Sequence, residues 1–383
     1  MLRLDTSDFL YQILGGGKIA VHDLHLGTEQ VVDHGLGFGP GVKVVSSGRD
    51  FALYWEGKGI NLWQVTPSGV PVLRDTLPML VREVALSPSW MVVMHEERGD
   101  GSVTIKVKIL ERKAYTVVHE ISQVQDHAIL YDMFLTEDYL VIGTMMRFNK
   151  VVDLRTFKES NLRLTKSLDV VGHWLLGMLM ESLDEPIKQI LKIKDLRNPT
   201  APPLNVSAKY SMYGNRLALL GTRLFLLNVE DRIFRVREVI QKEGYKNSWE
   251  LVTRWEREMV SDAPFRWLGS AVILGERYTL EKRDLITGVL LHTLEIPHRA
   301  AYFDAGVNRF MVRSVDDTPT RRDRLVVYDS VKSKERVVFE GPSRPNISLT
   351  ETPGDDVKNR CIVHILFQDH LVKDLRGLVE RYV

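Results

Sequence analysis

The chain has 383 residues, of which 44% are hydrophobic and 26% charged, enough apolar material for a sizeable core. Its 51 Lys and Arg nearly cancel its 50 Asp and Glu, leaving a formal charge of +1. That balance excludes a general electrostatic binder of nucleic acid or anionic membranes, because such affinity rests on a large excess of cations. Cys361 is the lone cysteine, so no internal disulfide can form, and an intracellular compartment, cytoplasmic or nuclear, is expected. Asp5 and Asp8 come early and no long apolar run follows a basic start, so neither a secretory leader nor a membrane span is expected. Asn205-Val-Ser207 and Asn346-Ile-Ser348 fit the glycosylation pattern, and without a leader they read as chance matches.

In chain order, the first element is "DFLYQILGGGKIAVHDLHLGTEQVVD", Asp8 to Asp33. It aligns with "DFALYWEGKGINLWQVTPSGVPVLRD", Asp50 to Asp75, at an offset of 42 residues. Phe9 falls on Phe51, Gly15 on Gly57, Gly17 on Gly59 and Gly27 on Gly69. Each segment reads as strand, glycine turn, strand, glycine turn, strand. A phosphate-cradling loop needs glycines that open a helix. Here Gly15-Gly16-Gly17 leads into "KIAVHDL", a strand pattern, so the glycines serve hairpin turns that require positive φ.

The unit recurs along the chain. "DYLVIGTMMRFNKVVDLRT" (Asp138 to Thr156), "NRLALLGTRLFLLNVED" (Asn215 to Asp231), "SAVILGERYTLEKRDLITG" (Ser270 to Gly288) and Asn308 to Ser330 each read as the second and third strands of a unit. A further apolar strand precedes most of them, near residues 42, 80, 128, 166, 209, 262 and 299. Such a spacing with four strands per unit is the signature of a β-propeller. Phe9 to Asp33 supplies only three strands, so Asn346–Leu349 is expected to complete that unit and close the ring. Two segments carry helical patterns. Asn247 to Asp262 starts with an Asn cap and has Glu250 three positions on, and Asp369 to Val383 spaces Leu371, Leu375 and Leu378 helically. "RCIVHILF" (Arg360 to Phe367) finds no place in this count.

The third strands "IAVHDLHLG", "VVDLRTF", "EKRDLITG" and "LVVYDS" resemble the strand that ends in Trp-Asp in WD40 repeats. No repeat has a literal Trp-Asp pair, and the family's Gly-His dipeptide is clear only at Gly172-His173, so the resemblance is to a degenerate WD40-like propeller. It implies an all-β fold of 1–383: one β-propeller of seven or eight four-stranded blades, closed by N- and C-terminal strands. Similar propellers occur in F-box ubiquitin-ligase receptors, nuclear-pore subunits, and coat or chromatin scaffolds. A non-catalytic interaction scaffold or adaptor is the function the resemblance implies.

Motifs for chemistry are sparse. His22 and His25 lie three apart on a strand and so face opposite ways, which argues against a metal site. His370 and Asp374 would align on a helix as a solvated pair. No serine sits in a nucleophile elbow, and Asp316-Asp317 and Asp355-Asp356 fall short of a calcium shell. No enzyme, cofactor or metal is therefore expected, the alternative being an enzyme site built at the central channel from several blades.

Three surfaces are candidates for protein partners. Trp249, Arg254, Trp255 and Arg257 combine in the expected helical insertion, as binding residues or as anchors. Arg321, Arg322 and Arg324 cluster in an expected hairpin connection and suit an acidic peptide, a phosphate or, as an alternative function, nucleic acid. Leu371, Leu375 and Leu378 form the third.

Overall fold

The computed structural model describes residues 2–342, apart from 5–8, 15, 25, 37–40, 99–102, 126–130, 145–148, 163, 165, 181–188, 207–214, 243–248, 260–264, 277, 296–298, 306–308, 316–321 and 330–333. The described residues form strands and turns only, in eight four-stranded antiparallel sheets, each built from four strands consecutive in the chain. These blades span residues 2–33, 43–77, 83–125, 131–162, 166–206, 215–258, 265–295 and 299–342, numbered one to eight.

Blade topology fixes the centre and the rim. The first strands of blades 2 to 6 touch in succession, as Lys43–Ser47 does Glu83–Leu86, and so do those of blades 7 and 8, which places first strands at the axis. Fourth strands such as Thr28–Asp33, Pro71–Leu77 and Leu290–Glu295 are largely exposed, so they form the rim.

The apolar residues of a propeller strand are buried on both faces, because another blade covers each side. In Tyr131–Leu135, Met133 and Leu135 join a core with Val92, Ile105 and Val107 of blade 3. The intervening Phe134 belongs to a core with Val170 and Leu175 of blade 5. The same logic joins blades 1 and 2 through Phe9, Tyr11, Phe51 and Leu53, with Tyr11 and Phe51 rings 4.7 Å apart. Each fully buried side chain of this kind contributes about 1.5–3 kcal/mol relative to exposure.

The 42-residue repeat is real in three dimensions. Strands Phe9–Ile13, Lys18–Asp23 and Thr28–Asp33 correspond to Asp50–Trp55, Gly59–Val65 and Pro71–Leu77. Gly17 has φ 77° and Gly59 φ 102° at the equivalent turns, the left-handed backbone that glycine adopts without penalty. A side chain at Gly59 would also meet the Leu77 carbonyl oxygen at 2.9 Å.

A second repeated device explains the Asp-Leu pairs. In blades 4, 5 and 7 the third strand ends at Asp153, Asp195 or Asp284. Each carboxylate accepts backbone N–H bonds from the turn beyond: Arg155 N at 2.9 Å, Arg197 N at 3.0 Å, and Ile286 N and Thr287 N at 3.0 and 2.8 Å. The leucine that follows is buried, and its N–H donates to the residue just before the second strand: Leu154 to Asp138, Leu196 to His173, Leu285 to Ser270. The aspartate thus caps a turn while the leucine fills the blade.

The structure corrects three expectations. Asn247–Asp262 is not a helix: Trp249–Glu258 is the fourth strand of blade 6, paired along Ile233–Gln241. Its aromatic and β-branched residues (Trp249, Val252, Thr253, Trp255) suit a pleated strand, and the long neighbouring strand satisfies its backbone, which outweighs a capping pattern of Asn and Glu. Asn215–Leu220 and Arg223–Glu230 are consequently the first and second strands of that blade, one place earlier than expected. Blade 1 receives its inner strand from Leu2–Leu4 in place of Asn346–Leu349. Residues 346–349, Cys361, 360–367 and the C-terminal helix expected at 369–383 lie outside the described residues.

Candidate interaction surface

The rim strand Trp249–Glu258 brings together four of the residues singled out in the sequence, with its tryptophans turned to packing. Trp249 meets Trp174 of blade 5 edge to face, with centroids 5.3 Å apart and planes at 89°. Trp255 points the other way along the chain. Its indole N–H donates to the Leu285 carbonyl of blade 7 at 2.9 Å, and its ring lies 5.4 Å from Phe234. Gly288 of blade 7 lies so close that a β-carbon there would sit 2.6 Å from the Trp255 ring. Opposite Val236 and Arg237 the pairing passes from Trp255 to Thr253, leaving Arg254 as a bulged extra residue, and this slip turns the two tryptophans to opposite faces of the blade. The pair packs blade 6 against both adjacent blades.

The arginines of this strand are ion-paired. Arg254 Nε donates to Glu238 Oε2 at 2.6 Å, and Arg223 meets the same carboxylate through two bonds of 2.7 and 2.8 Å. The Arg223 guanidinium first, and Arg254 after it, hold Glu238 below the usual carboxylate range despite its burial. Arg257 donates to Glu281, which also accepts from Arg283 at 2.7 Å, and lies 3.7 Å from Glu276. Partial exposure of Arg223 (39%) and Arg254 (36%) leaves each with one side toward solvent.

Arg322 and Arg324 are not in a hairpin connection. They sit on the third strand of blade 8, Arg322–Asp329, opposite Pro342 and Glu340. The strand extends further toward the turn than the arginine cluster suggested, because paired backbone on both sides carries it. Arg321, Leu371, Leu375, Leu378, His25, His370 and Asp374, with the acidic pairs 316–317 and 355–356, lie outside the described residues. His22 is buried beside Gln12 and Glu29, 3.4 Å from each. Among the described residues no three His, Cys, Asp or Glu gather as metal ligands, and no helix is long and apolar enough to cross a membrane.

The structure reveals a surface the sequence did not announce. Val289, Leu290 and Leu291 are 58%, 46% and 52% exposed at the rim of blade 7, on the same blade as the loop that covers Trp255. On blades 1 and 2, Leu26, Val31, Val70, Val72 and Leu73 are exposed, and Leu26 approaches Gly69 of the next blade. Val31, Val72, Leu73, Leu290 and Leu291 lie on fourth strands and the others in the turns that lead into them, so only strand order could have flagged this surface: an apolar residue on a fourth strand has no further strand to cover it.

Eight consecutive meanders, packed face to face with first strands at the axis, make the chain a β-propeller. No family model and no curated protein matches the sequence. Solved structures do match in shape. The dihydro-heme d1 dehydrogenase NirN, in complex with DHE, superposes with a TM-score of 0.56 at 14% identity, covering 89% of this chain and 74% of that one. BamB from Moraxella catarrhalis gives 0.47 at 11% identity, over 80% and 91% of the two chains. Hsv2 from Kluyvelomyces marxianus gives 0.44 at 13% identity, over 79% and 98%. At these identities the likeness is one of fold.

Proposed function

We propose that the protein is a non-catalytic interaction scaffold or adaptor, an intracellular subunit of a larger protein complex, that holds its partner through the propeller rim. The observation that carries this reading is the exposure of adjacent aliphatic residues on fourth strands: Leu290 and Leu291 on blade 7, and Val72 and Leu73 on blade 2. Water contact with such side chains is unfavourable, and a protein surface recovers that free energy by covering them. Arg223 and Arg254 of blade 6, half-neutralised by Glu238, supply the kind of polar border that surrounds an apolar contact. The test is affinity capture from native extract with quantitative mass spectrometry, comparing the wild-type chain with Leu290→Glu/Leu291→Glu and with Val72→Glu/Leu73→Glu. The reading expects at least one folded variant to lose a partner that the wild type retains. Identical partner sets for all three proteins would refute it.

A further inference from the structure

Among the described residues His22, His34 and His95 are buried, and one of them differs in what it faces. His22 Nδ1 lies 3.4 Å from Glu29 and His95 Nε2 lies 3.4 Å from Glu97, so a proton on either ring meets a carboxylate. His34, 2% exposed, belongs to the link between blades 1 and 2, and its Nδ1 accepts the Leu36 backbone N–H at 3.2 Å. The Nδ1 lone pair makes that bond, so the ring is neutral there and carries its proton on Nε2.

The link is fastened from both blades. His34 N donates to the Gly17 carbonyl of blade 1 at 2.9 Å, and the His34 carbonyl accepts from Asn61 Nδ2 of blade 2 at 2.7 Å. Asn61 is buried, and its Oδ1 accepts from the Thr76 hydroxyl at 3.1 Å. Leu36 then enters the core that joins the two blades, beside Phe9, Tyr11, Phe51 and Leu53. Of the charged residues on the surrounding strands, Lys18 and Asp33 face each other in register next to the link, while His22, Asp23 and Glu29 lie at the far end of the same strands. Gly59–Val65 carries none, Arg74 and Asp75 are exposed on the fourth strand of blade 2, and Lys43, beyond the link, is paired with Glu83. Asp33 is the charged group that acts on the ring, and its carboxylate already accepts from Gly35 N at 2.8 Å. Burial outweighs it and holds the ring below the usual histidine value.

We infer that the His34-Gly35-Leu36 link is an acid-sensitive latch between blades 1 and 2, opened when His34 takes a proton at Nδ1. The proton turns the acceptor into a donor facing the Leu36 N–H, and it places a charge in a buried site. Leu36 loses the bond that fixes its entry into the inter-blade core. The sign follows from burial. A folded value below the ordinary 6.5 means that the latch is fully closed above 6.5 and loosens as pH falls toward the folded value. The same seam holds Leu26 of blade 1 against Gly69 of blade 2, so the rim at that point answers to pH. The latch does not rest on the rim reading, and either can fail alone.

The test is NMR of the isotope-labelled full chain from about pH 7.5 down to about pH 5.5. At the neutral end the His34 ring should show a bare Nδ1 and a protonated Nε2. Across the series the protection factor of the Leu36 amide should fall about tenfold. The amides of Phe9–Ile13 should follow it, and those of Tyr139–Thr144 in blade 4 should not. His34→Asn places Oδ1 where Nδ1 stood and does not titrate, so it should keep Leu36 protection constant. His119→Gln, which removes a partly exposed ring paired with Glu159, should keep the wild-type fall. If His34→Asn does not fold, the wild-type midpoints decide: ring and Leu36 amide should share one, and two separate midpoints contradict the latch. A proton on Nδ1 at neutral pH, an unchanged Leu36 amide, the same fall in His34→Asn, or an equal fall in every blade overturns it.

Discussion

Two rim strands on neighbouring blades teach opposite lessons. Trp249–Glu258 of blade 6 carries large aromatics, three acidic and two basic residues, yet its tryptophans reach Trp174 on one side and Leu285 on the other. Leu290–Glu295 of blade 7 carries two ordinary leucines, and both are about half exposed. Residue type alone left the first open as a binding surface or an anchor. What decides is whether a neighbouring blade lies within reach of the side chain.

The comparison breaks most readily at Trp255. Trp255→Ala should cost about 3 kcal/mol in chemical denaturation, since it opens a cavity between Phe234 and Gly288 and orphans the Leu285 carbonyl. A loss near zero would mean that the tryptophan is a free surface residue after all. Next in size, Gly59→Ala should cost about 2 kcal/mol, because φ is 102° and the Leu77 oxygen is 2.9 Å from the new carbon. The same substitution at Gly57, whose φ is 75° with nothing within 4 Å, should cost less, and the difference isolates the close approach.

A smaller effect sharpens the role of the blade 7 turn that covers Trp255. The Thr287 backbone N–H holds Asp284 below the usual carboxylate range against the opposing effect of burial, with the Thr287 hydroxyl and Ile286 N–H adding to it. A depressed folded pKa means that this stabilisation is complete above the unfolded value of 3.8 and is lost as pH falls through the folded value. Asp284→Asn should therefore lower stability by about 1 kcal/mol at neutral pH and flatten its acid dependence, read by urea unfolding across a pH series. An unchanged acid limb would show that the cap carries no such linkage.

Much of the architecture was legible in the residues. The Phe9 and Phe51 segments, with glycines at matching turns, gave away the hairpin unit, because positive φ is a demand that few residues meet. The aspartates that end third strands were visible as a resemblance, and the structure adds their reason: each caps a turn whose leucine is buried. Blade 6 was misread because its closing strand mimics a helix start at Asn247 and Glu250. A capping pattern is local, whereas Trp249–Glu258 is held by pairing to a strand that begins at Ile233. The interaction surface was not legible for a related reason: Leu290 and Leu291 look like core residues until the strand order puts them last.

The most direct test of the contrast is thermal or urea unfolding of two variants side by side, Trp255→Ala and Leu290→Glu/Leu291→Glu. The first should lose about 3 kcal/mol and the second less than about 0.5 kcal/mol, since carboxylates there only replace exposed apolar surface. A second variant as damaged as the first, with Trp255→Ala left near wild-type stability, would show that the packed tryptophan and the open surface have been assigned the wrong way round.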